Sequence, residues 1–294
     1  MTPTLLSPLI SATILADSIS PAGIRLTTME LIYPRFIHSE LMTHRVFSRN
    51  ASSSRAIPTK RAIQMIRNNP SVPASWRMNQ PGMQGYVVAP LAVALAAQDV
   101  WLRAMESAIS YAEEMDALGI HKQVVNRLTE PFSHIKVVLT SVYWDNWDGL
   151  RNHHAADPTI EALAKAVHEA RANSTPILLR PGGWHLPYIT AEERTKYHTG
   201  VLRKFSAARC ARVSYNNHDG SKTDPEKDIA LHDALLVEQP IHASPAEHQA
   251  TPDELNTKFG GMGGRWANPN LHGNLTGWVQ YRKTLPNENL DQRH

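Results

Sequence analysis

The chain has 294 residues, 42% of them hydrophobic, and its 30 Lys and Arg against 27 Asp and Glu give a net charge of +3. This length and balance support one large core or two modest ones and exclude a disordered or fibrous chain. The one cysteine, Cys210, excludes an internal disulfide framework and a cysteine zinc cluster, so redox chemistry would need a bound cofactor.

Residues 10–36 are β-branched and apolar apart from a break at Pro21 and Gly23, and Arg25 to Ile32 approximates alternation, which predicts strands. Ser39 to Arg45 reads as a helix end or an extended lead into the next loop. Residues 68–87, punctuated by Pro70, Pro73, Pro81, Gly82 and Gly85, predict an irregular connection. After Pro90, Leu95, Leu102, Met105, Ile109, Ala112 and Met115 recur at helical spacing up to a stop at Gly119. A short helix is expected over 122–128, with Val124, Val125 and Leu128 inward, and a strand over 135–144, where a buried helix is the alternative. Asp157-Pro158 marks a helix start, with Ile160, Leu163, Ala164 and Val167 on one face. Residues 173–190 read as a loop-rich crossing, 204–214 and 228–237 as helices, and 260–277 as a Gly- and Asn-rich loop. The sum is an α+β protein.

No apolar run outlasts 91–97, and the start Met1-Thr2-Pro3-Thr4 lacks a positive n-region, so a cytoplasmic protein without a membrane span is expected. Cations gather early, at Arg35, Arg45, Arg49, Arg55, Lys60, Arg61 and Arg67, which favours anionic ligands. With Trp76 and Tyr86 as stacking rings, a non-catalytic protein that binds nucleic acid is the rival class. The 15 histidines invite a metal reading at His153-His154, His185, or His242 with His248. None has an HExxH pattern, and adjacent histidines on a helix point apart, so no metal site is assigned.

The densest polar stretch is Thr43-His44-Arg45-Val46-Phe47-Ser48-Arg49-Asn50-Ala51-Ser52-Ser53-Ser54-Arg55. Arginine forks hold phosphate oxygens in pairs, while Ser, Asn and backbone N–H groups fill the remaining acceptor positions. The alternative is a solvated basic loop. Two later stretches are comparably polar. One is Arg127-Leu128-Thr129-Glu130-Pro131, followed by Asn146, Leu150 and Arg151; the other is Ala211-Arg212-Val213-Ser214-Tyr215 with Ile241-His242-Ala243-Ser244-Pro245-Ala246-Glu247-His248.

At His44, Arg45, Ser48, Asn50, Ser53 and Arg55 the first stretch resembles the signature of the flavin-dependent thymidylate synthases, and the later stretches resemble that family's other site elements. Thr43, Ala51 and Glu40 depart from it, standing where the family usually carries Arg, an acidic residue and Gln. The Ala-Arg-Val-Ser and His-x-Ser-Pro elements follow the signature here and precede it in the family, which looks like a circular permutation. The resemblance implies one domain over 1–294, with a nucleotide and flavin signature half at 1–172 and a permuted flavin-binding half at 200–294.

It also implies one-carbon transfer to C5 of a pyrimidine deoxynucleotide, dUMP to dTMP, with FAD, NADPH and methylenetetrahydrofolate. Hydroxymethylation of dUMP or dCMP is the alternative product chemistry. Thr43, His44, Arg45, Asn146, Ser214, His242 and Ser244 would face FAD. Glu40, Ser52, Ser53, Arg55 and Arg127 would face the nucleotide, and Arg151 would stabilise negative charge on its ring as the catalytic residue. Arg151 as a helix-end dipole partner is the structural alternative. The family's site is shared within a homotetramer, so one chain need not hold a complete pocket. Lys283, in Gln280-Tyr281-Arg282-Lys283, is a candidate for the cation absent at Thr43. Cys210, inside Arg209-Cys210-Ala211-Arg212, reads as packing and not as a nucleophile.

Overall fold

The computed structural model describes residues 4–214, 224–256, 264–286 and 288. Tyr215 and the 260–263 part of the expected Gly-rich loop lie outside the described residues. In chain order, β1 (Ser11–Ile19) and β2 (Arg25–Pro34) lead to a short α1 (His38–Met42) and β3 (Ser48–Ala51). Next come α2 (Thr59–Asn68), α3 (Leu91–Ala117), α4 (Lys122–Val125), β4 (His134–Ser141), α5 (Asp145–Arg151), α6 (Pro158–Ala172) and β5 (Ile177–Leu178). The remainder holds α7 (Ala191–Lys196), α8 (Thr199–Arg212) and α9 (Pro225–Leu236), then β6 (Ala250–Pro252), β7 (Leu255–Asn256), β8 (Arg265–Trp266) and β9 (Trp278–Gln280). The mixture is α+β, as the sequence predicts.

The main sheet has the order β3-β4-β2-β1-β5, antiparallel except where β5 joins β1. Successive side chains in a strand point to opposite faces, so alternation assigns two different environments. Met29, Leu31 and Tyr33 of β2 and Ile135, Val137 and Leu139 of β4 enter an apolar core. Ile160, Leu163, Ala164 and Val167 of α6 close it, with Trp144 and Trp147 beside α5. The intervening residues face the C-terminal half: Val138 packs on Tyr188, Cys210 and Val213, while Thr28 and Thr140 meet histidines. A buried ion network braces that half. Arg209 donates to Glu193 (2.5 Å), Asp228 (2.9 Å) and the Tyr188 carbonyl (2.7 Å), and Arg212 also pairs with Asp228.

Where the elements differ from expectation, local chemistry gives the reason. The helix expected over 122–128 ends at Val125 and tightens into a 3-10 turn over Asn126–Phe132, which contains Pro131. Proline has no N–H for the ladder and crowds the preceding turn. Of the three residues expected inward only Val125 is buried, with Val124 and Leu128 exposed. β4 stops at Ser141 because α5 starts four residues later with Trp144 as its N-cap. α8 begins at Thr199, earlier than the expected 204, where the His198 ring accepts from the Gly200 N–H (3.2 Å).

The start of α6 is as expected. The Asp157 carboxylate accepts from the N–H groups of Thr159 (2.8 Å) and Ile160 (3.4 Å), with Pro158 at the first helical position. Asp157→Ala is expected to remove about 1 kcal/mol of stability. A lower urea midpoint with an unchanged slope would register that loss.

Candidate functional site

The signature loop follows α1 and folds back on itself. Arg49 Nη1 donates to the carbonyls of His44 (3.0 Å) and Phe47 (2.9 Å), so its guanidinium serves the loop and is not merely solvated. His44 is buried between Phe47 and Trp147, with ring centroids 5.7 and 5.0 Å away. Arg151, the last residue of α5, reaches across to this loop. Its Nε donates to His44 Nε2 (3.1 Å), Nη1 to Glu40 Oε2 (3.1 Å) and Nη2 to Thr43 Oγ1 (3.2 Å). Arg151 therefore ties two motif stretches together from the last turn of α5, where it also stands as a helix-end cation. Burial, with Arg151 and Arg49 adding to it, lowers the His44 pKa and leaves the ring a neutral acceptor. Burial and the charge of Asp157 raise the Glu40 pKa, against the pull of Arg151.

Asn50 joins the signature to the His-x-Ser-Pro element. Its Nδ2 donates to Ser244 Oγ (3.2 Å) and its Oδ1 accepts from His248 Nε2 (3.0 Å). His248 Nδ1 meets Thr140 Oγ1 (2.8 Å), Thr140 meets Thr28 (2.6 Å), and Thr28 meets His185 Nε2 (2.8 Å). Burial pushes both His185 and His248 down to about 3, so both rings are neutral at physiological pH.

Two clefts flank this junction. The larger, about 610 Å³, places Ser52 and Ser53 of the signature beside Arg212, Val213 and Ser214 at the end of α8, with Arg35, Arg61 and Lys136. Its volume suits a nucleotide-sized ligand. Val213 adopts φ 53°, a left-handed conformation that strains a β-branched residue by roughly 1–3 kcal/mol. The second cleft, about 490 Å³, is lined by Arg45, Phe47, Arg49, Asn274, Gln280, Arg282 and Lys283, with Glu247. Lys283 does share this cleft with Arg45, and its Nζ donates to Glu288 Oε1 (2.7 Å).

Not every expected residue joins these groups. Arg55 and Arg127 are exposed and line neither cleft; Arg127 Nη1 reaches Glu130 at 3.4 Å. Glu130 is already held by Ser54 Oγ (2.6 Å), and its carboxylate draws Arg127 along the surface. Asn146 and His242 are exposed, and Asn146 sits on the turn of α5 before Arg151. In the larger cleft the cations are Arg35, Arg61, Lys136 and Arg212, which the motif reading passed over. Arg212 lay within a quoted motif; Lys136 was masked as one polar residue in an apolar strand. Thr28 and Thr140 were also missed, and His185 was weighed only as a metal ligand; two threonines on an inward strand face were the available signal.

Cys210 is buried, with the Gln249 amide 3.5 Å from Sγ, and burial raises its pKa, all of which suit packing. Trp76 meets Trp101 edge-on at 6.2 Å and the exposed Arg67 pairs with Glu106 and Glu113, while Tyr86 stays exposed. The rings of His153 and His154 lie 4.2 Å apart just past α5, closer than helical geometry would bring them. Among the described residues no group of three or more His, Cys, Asp or Glu is placed to hold a metal. No helix there is long and apolar enough to cross a membrane.

No family model matches the sequence, and no curated protein does. Solved structures similar over part of the fold include two of one protein. The UMP/dUMP methylase PolB from Streptomyces cacaoi bound with 5-Br UMP has 17% identity and a TM-score of 0.48, over 59% of this chain and 91% of that one. PolB bound with 5-Br dUMP gives 18% and 0.47, over 60% and 94%.

The two buried histidines carry a pH signature. Their folded pKa of about 3 lies below the ordinary 6.5, so between those values the unfolded chain binds more protons. Stability is fully present above pH 6.5 and falls as the pH drops towards 3, by up to about 1.4 kcal/mol per pH unit for each ring. His44 shifts in the same direction. Urea unfolding free energies measured from pH 4.5 to 7.5 should rise with pH, and His248→Gln should flatten that rise.

Proposed function

We propose that this chain is a flavin-dependent enzyme that transfers a one-carbon unit to C5 of a pyrimidine deoxynucleotide, converting dUMP to dTMP. One observation carries the reading: three stretches distant in sequence converge around β3. Asn50 bonds Ser244 and His248, Ser52 and Ser53 share a cleft with Ser214, and His44 bonds Arg151. These are the elements the family resemblance assigns to one site, in an order read as circular permutation.

The diphosphate of FAD would lie at the second cleft, where Arg45 and Lys283 supply charge and the lining carboxylate Glu247 is paired with Arg282. The amide N–H groups of Asn274 and Gln280 are committed to Val46, Ser48, Glu247 and Asn274 itself, so these two residues brace the cleft wall. A flavin held there supplies reducing equivalents, with NADPH as reductant and methylenetetrahydrofolate as carbon donor, for a transfer that needs no cysteine nucleophile. The chain's own residues do the rest. Ser52, Ser53 and Lys136 bind the nucleotide phosphate, and Arg151 supplies positive charge to the ring. Neutral His44 accepts from Arg151 Nε and orients the guanidinium plane. Arg151 stands in the same junction but does not line the Ser52–Ser53 cleft, so its action on the ring would be completed by another copy in a homotetramer.

A second reading, hydroxymethylation or use of dCMP, draws on one specific contact. Glu40 and Thr43, two of the positions that depart from the signature, both bond Arg151.

The mass of the nucleotide product, after incubation with FAD, NADPH, methylenetetrahydrofolate and dUMP or dCMP, tests both. Methylated dUMP is expected; a hydroxymethylated product from either base would establish the second reading. A colourless protein that binds oligonucleotides with steep salt dependence would overturn both. Lys283→Ala is expected to weaken FAD binding, and an unchanged affinity would remove Lys283 from the cofactor site.

A further inference from the structure

Six hydrogen bonds run in single file between the sheet and the C-terminal half. Ser18 Oγ meets His185 Nδ1 (2.9 Å), and the series continues through Thr28, Thr140, His248 and Asn50 to Ser244. Thr28, Thr140 and His248 have no exposed surface, and His185 and Ser18 are buried. Each hydroxyl has one proton and each neutral imidazole one N–H, so the direction chosen at one link fixes every other.

The Asn50 amide sets that direction. Its Oδ1 faces His248 and can only accept, so His248 carries its proton on Nε2 and accepts at Nδ1 from Thr140. Thr140 then accepts from Thr28, Thr28 accepts from His185 Nε2, and His185 Nδ1 accepts from Ser18. At the far end Asn50 Nδ2 donates to Ser244 Oγ, which leaves the proton of this exposed hydroxyl pointing away from the series.

We propose that this series is a positioning device: it locks His185 and His248 in one shared tautomer and presents Ser244, which opens the turn whose Glu247 lines the second cleft, as a hydrogen-bond donor to an acceptor atom of a flavin held there. Flavin as the recipient rests on the functional reading above; the coupling of the two rings does not. Ser18, Thr28, Thr140, His185 and His248 are positioning residues, and Ser244 is the contact they orient.

Side-chain ¹⁵N NMR of the full-length protein labelled at histidine reads the tautomers with or without flavin. Both rings are expected as Nε2–H. In Thr140→Val, Thr28 loses its acceptor and satisfies its hydroxyl by turning it to His185 Nε2. His185, which does not touch Thr140, should then move to Nδ1–H with Ser18 accepting. Opposite tautomers in the wild type, both rings as Nδ1–H, or an unmoved His185 in Thr140→Val would each overturn the device; the wild-type spectrum decides by itself should that variant not fold. Ser244→Ala is expected to raise the FAD dissociation constant about tenfold, the equivalent of one hydrogen bond. An unchanged constant, or no FAD uptake by the wild type, would overturn flavin as the recipient, while the tautomers still judge the wiring.

Discussion

The fold depends on matching a polar sheet face that has been taken out of water. Thr28, Glu30, Asn50 and Thr140 all point from the sheet toward the C-terminal half, and each finds a partner there: His185, Tyr188 and His248. An unpaired buried hydroxyl or amide costs roughly 1–3 kcal/mol, so the crossing segment and the Ser244–Glu247 turn are held to positions that satisfy these groups. The sheet register is fixed by the same requirement. A slip of one residue would turn Met29 and Leu139 into the polar seam and the threonines into the α6 core.

Backbone strain collects at this seam. Tyr188 (φ 61°) and Val213 (φ 53°) are the non-glycine residues with left-handed backbones among those described, and both pack against Val138. Each costs on the order of 1–3 kcal/mol unless its surroundings over-determine it. Here they do. The Tyr188 hydroxyl donates to Glu30 (2.7 Å) and its carbonyl accepts from Arg209, while Val213 closes α8 above the cleft of Ser52 and Ser53. The buried Arg209–Asp228–Glu193 network thus holds Tyr188 and, through Asp228, also Arg212 at the larger cleft.

Secondary structure was legible wherever one physical cause dominated. β-Branched content ahead of the Pro21–Gly23 break located β1, alternation located β2, an Asp-Pro cap located α6, and a Gly stop located the end of α3 at a residue with φ 79°. It was less legible where tertiary partners decide, as at Val124 and Leu128, whose apolar side chains stay outside because the chain tightens into a 3-10 turn. The candidate site was legible as residue types and spacing, which marked His44, Asn50, Arg151 and Ser244. Its wiring was not: that His185 and His248 would share one series of hydrogen bonds across four strands depends on sheet order, and no local pattern in the sequence encodes sheet order.

The contact that most distinguishes this site is the ion pair between Arg151 and Glu40 (3.1 Å). Arg151 is largely shielded from solvent and Glu40 only partly so, which makes the attraction stronger than at an open surface and leaves the pair able to part without stranding a buried carboxylate. A glutamine at position 40 would accept the same hydrogen bond and leave the full positive charge of Arg151 to act on a ligand. A glutamate spends part of that charge within the protein. Thr43 works in the same direction, because an arginine there would add a second cation beside Arg151, whereas a hydroxyl accepts from it (3.2 Å). Both departures from the signature therefore lower the positive field at one guanidinium. On the proposed function that field would act on negative charge at a pyrimidine ring, and Glu40 and Thr43 would then bear together on a single physical variable, the strength with which Arg151 holds an anion.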